Sequence, residues 1–550
     1  MTPARPAPTI PLALILTVLL TAWWAALGWR DLGALRLPEA HDMLRLAQVR
    51  DWTDGQAFSD LTQARLGPPG GAAMTSSRLA DLVPGFVIRV LSPLMGPRRA
   101  EIAAVVFWPE LLFFVHLLLS GALARRLGGD ASSPAAMALA ALAFPAIAVL
   151  MPGRIAGQGL QLVLVEAMAL GLLDGRLLLA GLAGGTVLLL GSEPLPALAG
   201  AMIWLAVGWM RDRRPVSGFG VGLLAAALVG TALLRPDIWP VDRCDGFTMP
   251  LLVTMLLAGS IWPVLGAMTR HLPDMRWRAG AAALLAILSI VIIWFAAPPC
   301  LSGWAEMSSN ASWARAIAYA GLPLVALGYG VWLIRRGEPR PIGLFLSIIA
   351  ASLLAAVIRL ELAIFAAAFA APLLAQWVMR AHGRNWALQA GLWLLCAGLV
   401  WRTLGSFAEP APDPRAIGCT SHETLAALGR LDTGTFAAPS ELSGYLIGAT
   451  QHRSLAGGGR SNPRGNQAVA DFFRATPAEA RVQANLWTID YVALCATPTG
   501  GLPASMLKPD GLAAHLLNGA TPDWLEPVTL LGSDLPVWRV RAVAAPGLKP

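Results

Sequence analysis

Apolar residues run through this chain in blocks instead of alternating with polar ones. The first block is Thr9 to Gly28, and later ones fall at about 101–123, 133–151, 158–173, 177–191, 195–210, 217–234, 248–269, 279–297, 313–334, 341–358, 362–379 and 386–403. Read as helices, these are about thirteen spans, several of them shorter than the ~20 residues that cross a bilayer. The first block has no small-residue cleavage site and the apolar character continues after it, which predicts an anchor and not a removed leader. Two stretches break the pattern. Arg30 to Arg99 is the one long polar excursion between the first block and the C-terminal region. It carries Pro38-Glu39-Ala40-His41-Asp42, Leu61-Thr62-Gln63-Ala64-Arg65, a Gly67-Pro68-Pro69-Gly70-Gly71 turn and Met74 to Asp81. A loop this long, with acids, arginines and a turn, predicts a folded part of a site; a capping domain without chemistry is the plainer alternative. The second stretch starts near residue 405 with the linker Glu409-Pro410-Ala411-Pro412-Asp413-Pro414. Strand-like runs at Tyr445–Ile447, Tyr491–Leu494 and Pro536–Val540 alternate there with helical stretches near Glu423–Leu431 and Asn466–Trp487, which predicts a small α/β domain.

Composition sharpens this picture. With 550 residues, 56% hydrophobic and only 13% charged, the chain is too poor in charge for a water-soluble protein of its length and is an integral membrane protein. Lys508 and Lys549 are its lysines; the Arg, Ala and Gly bias suggests a GC-rich bacterial genome. The formal net charge of +8 comes from arginines set between apolar blocks, a pattern that fits a membrane face and not nucleic acid. With the N-terminus in the cytoplasm, every second connection carries Arg125/Arg126, Arg176, Arg211/Arg213/Arg214, Arg270/Arg276/Arg278, Arg335/Arg336/Arg340 or Arg380/Arg384. The opposite short connections carry only Arg154, Arg235, Arg243 and Arg359. This positive-inside alternation puts residues 30–100 and 405–550 on the outer side, the periplasmic face of a bacterial inner membrane, with residues 1–404 as the membrane domain. The five cysteines show no metal spacing; Cys419 with Cys495, and Cys244 with Cys300, are candidates for disulfides in an oxidising compartment.

Several residues could carry chemistry. Asp42, with His41 beside it, offers a carboxylate that can hold a hard divalent cation or take a proton from a nucleophile; a helix N-cap is the plainer alternative. Glu193 stands next to Pro194 at the outer end of a block, and Glu110 and Glu166 lie inside apolar blocks, where a carboxyl is costly and functional by default, or else a hydrogen-bonded structural acid. Arg359, two residues from Glu361, could clamp a lipid phosphate bidentately, or simply pair locally or snorkel. Arg154, Arg78 and His452/Arg453 are further phosphate candidates.

Six short motifs point to a family: Ala40-His41-Asp42-Met43-Leu44-Arg45, Ser77-Arg78-Leu79-Ala80-Asp81-Leu82, Pro152-Gly153-Arg154-Ile155, Gly191-Ser192-Glu193-Pro194, Ala449-Thr450-Gln451-His452-Arg453 and Ile489 to Cys495. With the long first outer loop, the many spans and the outer C-terminal domain, the chain resembles the GT-C glycosyltransferases along nearly its whole length. It is most similar to the oligosaccharyltransferase catalytic subunit family and its bacterial relatives. The resemblance implies a mainly α, polytopic membrane protein with a small α/β periplasmic domain. It implies a transferase that moves sugar from a polyprenyl-linked donor to a glycan, lipid or protein acceptor among membrane lipids, with no nucleic acid. It also implies a divalent metal such as Mg or Mn or an activated acceptor at Asp42, a basic residue such as Arg359 at the donor phosphate, and a third acid near Glu306. One motif departs. Where relatives keep an acidic pair or Asp-His-His, Arg154-Ile155 is followed by Ala156-Gly157-Gln158, so a two-acid metal site cannot form from this loop. Glu193, Glu110 and Glu166 are the replacement acids. A catalytically degenerate scaffold in envelope glycan assembly is the alternative; a transporter fits less well, because no inverted repeat is obvious.

The arginine alternation is testable by reporter fusion. Alkaline phosphatase joined after residue 410 is expected to be active, and the same reporter in the Arg211–Arg214 connection inactive; the reverse pattern would overturn the span count.

Overall fold

The computed structural model describes residues 9–74, 77–235, 246–272, 274–296, 312–338, 341–381, 383, 385–409 and 413–541. Cys244, Cys300 and Glu306 lie outside them. The chain forms two compact units, one of Met1–Leu27, Ser76–Val83 and Ala103–Pro410, the other of Gly28–Thr75, Pro84–Ile102 and Ala411–Pro550.

In the first unit, apolar sequence becomes apolar helix. Among the described residues six helices are long and apolar enough to cross a membrane: Thr9–Gly33, Pro97–Gly128, Ser217–Leu234, Met249–Met268, Trp313–Arg335 and Leu360–Arg380. The pair Trp386–Cys396 and Gly398–Ser406, bent by 70°, makes a seventh if taken as one span, and Gln158–Leu173, Leu177–Leu190 and Pro341–Ala356 are apolar but shorter. The chain is thus a multi-pass membrane protein. The expected span at 133–151 is not one helix. It stops after nine residues, Ser132–Ala140, and resumes as the 3-10 turn Ala146–Val149, because Pro145 has no N–H to carry a helix through. Breaking a helix in apolar surroundings frees backbone groups that must find partners. The Leu142 carbonyl accepts from the Leu399 amide at 3.0 Å, just past the bend at Ala397. Gly398 makes that approach possible, since a Cβ there would lie 2.4 Å from the Phe144 nitrogen. Leu177–Leu190 and Ser217–Leu234 also meet backbone to backbone: a Cβ at Gly181 would lie 2.0 Å from the Phe219 carbonyl oxygen, and one at Gly222 2.4 Å from that of Leu178.

The second unit joins the first polar loop to the C-terminal region. Five strands lie in the order Arg453–Ser454, Thr435–Ala437, Tyr491–Ala493, Val537–Val540, Leu525–Val528. The first three are parallel and the last two run antiparallel to their neighbours. Residues of the loop extend the sheet edge: the Ser454 amide donates to the Arg65 carbonyl at 2.9 Å and the Gly67 amide to the Ser454 carbonyl at 2.8 Å. The loop itself turns through a short hairpin that pairs Thr62 with Ala73 and Gln63 with Ala72. The expected strands at Tyr491 and Val537 are present, but Tyr445–Ile447 lies in the helix Ser440–Ala449. Aromatic and β-branched residues suit a strand; here Gly444 and Gly448, four apart, present one smooth helix face for packing, and tertiary contact overrides propensity. The expected helix over Asn466–Trp487 divides into Pro463–Arg474 and Pro477–Leu486. Pro477 ends the first, and Thr476 with Glu479 forms a capping box that starts the second.

Cys419 and Cys495 form a disulfide across 76 residues of chain, with Cα atoms 5.2 Å apart. Loop-closure entropy for that separation gives about 4.5 kcal/mol at most. Cys419→Ser is expected to lower the unfolding free energy by about 2–4 kcal/mol in chemical denaturation of the full chain; an unchanged midpoint would show that the bridge adds nothing.

Candidate functional site

Asp42 is built into the second unit by the packing of two helices. Ala40–Thr53 starts after Pro38 and Glu39, and its residues from Asp42 to Val49 are all buried, so protein surrounds it on every side. Its partner is Ser440–Ala449. A Cβ at Gly444 would lie 2.7 Å from the Ala40 Cβ, and one at Gly448 2.7 Å from the Met43 carbonyl oxygen, so only glycine allows this approach. Around the contact, the Tyr445 hydroxyl donates to the Pro38 carbonyl at 2.9 Å, and Arg50 makes a bidentate pair with Glu101, 2.8 Å on each arm, while its third nitrogen donates to the Gly448 carbonyl at 2.5 Å.

The N-cap of Ala40–Thr53 is Glu39, so Asp42 is the third residue of the first turn and not a cap. It is fully buried. Burial pushes the Tyr445 phenol up to about 12; the carboxylates of Glu441, Asp42 and Glu39 add to that, and Arg36, 5.4 Å over the ring, opposes it. Three acids and a neutral phenol therefore share this neighbourhood. His41 is exposed, and its Nε2 would be 3.8 Å from a Cβ at Gly459, in a loop where Gly457, Gly458 and Gly459 all adopt left-handed φ angles.

In the first unit, Glu193 lines a narrow pocket with Gln158, Gln161, Glu361, Leu362, Ile364 and Phe365, and Arg154 and Arg359 each reach one residue of that lining. Glu193 accepts from the Gln161 carboxamide at 2.9 Å. Gly191 leaves room for that bond, because a Cβ there would lie 2.4 Å from Glu193 Oε2 and 3.1 Å from Gln161 Nε2. The Arg154 guanidinium donates to Gln158 at 3.2 Å, and Arg359 lies 3.5 Å from Glu361, where the chain breaks between Pro341–Ala356 and Ala363–Arg380. The Gln161 carboxamide oxygen is buried with no hydrogen-bond partner.

The remaining candidates have structural partners. Arg78 is fully buried, 3.6 Å from Asp81 in a 3-10 turn. Glu110 is hydrogen-bonded to the Thr21 hydroxyl. His452 accepts from the Gly434 amide through Nδ1 at 3.2 Å, so its Nε2 carries the proton and donates to the Leu428 carbonyl at 2.9 Å; a neutral, buried ring holding two backbone segments is no phosphate ligand. Arg453 donates to the Ala64 carbonyl at 3.1 Å. Glu166 meets His116 at 2.9 Å and Ser120 at 3.3 Å, all within buried helix faces. Sequence reasoning missed His116, although its i, i+4 spacing to Ser120 puts two polar groups on one face of an apolar helix. It also missed Gln158 and Gln161, whose i, i+3 spacing is a similar signal.

A divalent metal needs several hard or imidazole ligands converging. Among the described residues, no three His, Cys, Asp or Glu side chains gather in that way. The loop after Gly153 itself offers the Gln158 carboxamide and no carboxylate, while the carboxylates of Glu193 and Glu361 line the adjoining pocket.

No family model and no curated protein matches the chain. Solved structures do. A crystal structure of the Archaeoglobus fulgidus oligosaccharyltransferase in complex with Zn and sulfate superposes with a TM-score of 0.65 at 12% identity, covering 97% of this chain and 73% of that one. The fold is that of the oligosaccharyltransferases. The same archaeal oligosaccharyltransferase tethered to an acceptor peptide containing the NVT sequon gives 0.64 at 10% identity over 96% and 74%. The archaeal oligosaccharyltransferase AglB of that organism, in complex with an inhibitory peptide and a dolichol-phosphate, gives 0.62 at 11% over 98% and 75%. At this identity the likeness to the oligosaccharyltransferases is one of fold, and it covers both units of the chain.

Gly191→Ala tests the pocket. The added methyl meets the flexible ends of Glu193 and Gln161, so the fold is expected to survive while their bond is lost, at a cost of about 1.5–3 kcal/mol. Thermal unfolding in detergent, compared with Gln161→Leu, measures it; two variants with unequal losses, Gly191→Ala being wild-type-like, would show that the pair does not hold the pocket.

Proposed function

We propose that this chain is a membrane glycosyltransferase that moves a sugar from a polyprenyl-phosphate or polyprenyl-diphosphate donor to an acceptor at the periplasmic face of a bacterial inner membrane. The observation that carries the reading is the oligosaccharyltransferase fold over 97% of the chain. Asp42 is the proposed catalytic residue of this reading: it is a buried carboxylate in the first turn of Ala40–Thr53, where the helix N-terminus favours its charged form. Its role is that of a base, accepting the proton as an acceptor hydroxyl or amide attacks the anomeric carbon. His41, next to it and exposed, is placed to meet the acceptor. Arg359 is the proposed partner of the donor phosphate, whose negative charge grows as the glycosyl bond breaks; a guanidinium held beside that oxygen lowers the barrier. Glu193, held by Gln161, is the second acid of the assignment.

The second reading is a non-catalytic scaffold of the same fold. What favours it is the loop after Gly153, which presents the guanidinium of Arg154 and the carboxamide of Gln158 and no acid.

Asp42→Asn separates the two. The substitution keeps size and hydrogen-bonding reach and removes the charge. Under the transferase reading, transfer of labelled sugar from the lipid-linked pool to envelope fractions is abolished, while thermal unfolding in detergent still shows a folded protein. Full complementation of a deletion strain by Asp42→Asn, with unchanged stability, would remove the catalytic role and leave the scaffold reading.

A further inference from the structure

The apolar helix Met275–Ala296 opens with a residue that its surroundings do not explain. Met275, Arg276 and Trp277 are exposed, Trp277 at 68%, whereas Arg278 is only 5% exposed. Its Nε and Nη1 are sealed from solvent with no hydrogen-bond partner among the described residues, which also make no ion pair to it. A guanidinium does not shed its proton, so burial cannot neutralise it. Its position makes matters worse, for the first turn of a helix is the positive end of the dipole, where a cation is disfavoured and a phosphate is favoured.

The charged groups around it do not supply the counter-ion. Asp274 gives its backbone carbonyl to the Arg278 amide, but its side chain is exposed and unpaired with the guanidinium. Asp212 lies 3.7 Å from Arg214. Two connections come together here: the Trp209 indole donates to the Thr269 hydroxyl at 2.8 Å, and Ser217 packs so closely on Gly266 that a Cβ would lie 2.0 Å from its hydroxyl. This end of the unit therefore combines Arg211, Arg213, Arg214, Arg270, Arg276 and Arg278 against Asp212 and Asp274, with His271 alongside.

We propose that the N-terminus of Met275–Ala296 binds the phosphate of an anionic membrane lipid, with Arg278 as its buried ligand. The helix amides and the guanidinium address one anion, and Arg276 adds charge at the rim. Trp277, exposed beside the site, has the interfacial preference that fixes such a position at headgroup level. The site is independent of the transferase reading and needs no sugar chemistry.

The test uses the full chain in nanodiscs of phosphatidylcholine, with and without phosphatidylglycerol as the anionic probe, and inorganic phosphate in a parallel arm. Phosphatidylglycerol is expected to raise the melting temperature and to persist as an adduct in native mass spectrometry, and Arg278→Gln to reduce the adduct about tenfold. Arg278→Met carries the decisive comparison. If the buried charge awaits a lipid, replacing it with an apolar chain stabilises the protein in pure phosphatidylcholine and removes the gain from phosphatidylglycerol. If Arg278 were only structural, Arg278→Met would destabilise equally in both lipids, which would overturn the proposal. Stabilisation by inorganic phosphate alone, matching that of the lipid, would overturn it too.

Discussion

Two helices can approach only as closely as the side chains between them allow, and the second unit depends on removing that limit at two positions. Gly444 and Gly448 let Ala40 and Met43 rest on the backbone of Ser440–Ala449. This contact draws the first polar loop into the C-terminal domain. Once the helices are that close, residues flanking the contact fall into hydrogen-bonding range: Tyr445 reaches the Pro38 carbonyl, and Arg50 spans from Glu101 to the Gly448 carbonyl. The same approach removes water from Asp42. A larger residue at either glycine would part the helices and open the carboxylate to solvent, so the packing and the proposed chemistry share one cause.

The membrane unit meets a different constraint. An unpaired backbone group in apolar surroundings costs several kcal/mol, so a break is tolerated only where another break answers it. The interruption before Pro145 and the bend at Ala397 do this for each other through Leu142 and Leu399. Polar side chains obey the same rule. Glu166 is buried with His116 and Ser120, and Glu193 with Gln161. The rule is not met in full: the Gln161 carboxamide oxygen is left over at the pocket, as are His116 Nε2 and Glu110 Oε1 among the described residues.

How much of this was legible in the sequence follows from the range of each interaction. The membrane character was plain, because 13% charged residues cannot cover a soluble protein of this length. Helix positions followed from block lengths, but not the breaks, since a proline such as Pro145 ends some helices while Pro109, Pro263 and Pro323 sit inside others. Tyr445–Ile447 reads locally as a strand; the glycines flanking it carry the opposite message only when their packing partner is known. Asp42 drew notice by its place after the first span, yet its burial depends on residues some 400 positions later, which no local pattern encodes. Glu193 was found as an acid at a helix end, and its partner Gln161 was not, because 32 residues and a change of helix lie between them.

The second unit is assembled from the chain's beginning and its end, and this has a consequence for how the protein is made. Arg36 bonds to Thr420 across 384 residues, and Tyr445 to Pro38 across 407. At ordinary elongation rates of about 5–20 residues per second, the first segment waits roughly 20–80 s before its partner leaves the ribosome. During that interval Ala40–Thr53 has no glycine face to lie on, and the segment at Arg65–Gly67 has no strand to join. The early loop is thus an orphan through most of translation, and the second unit can close only after the last quarter of the chain has been made.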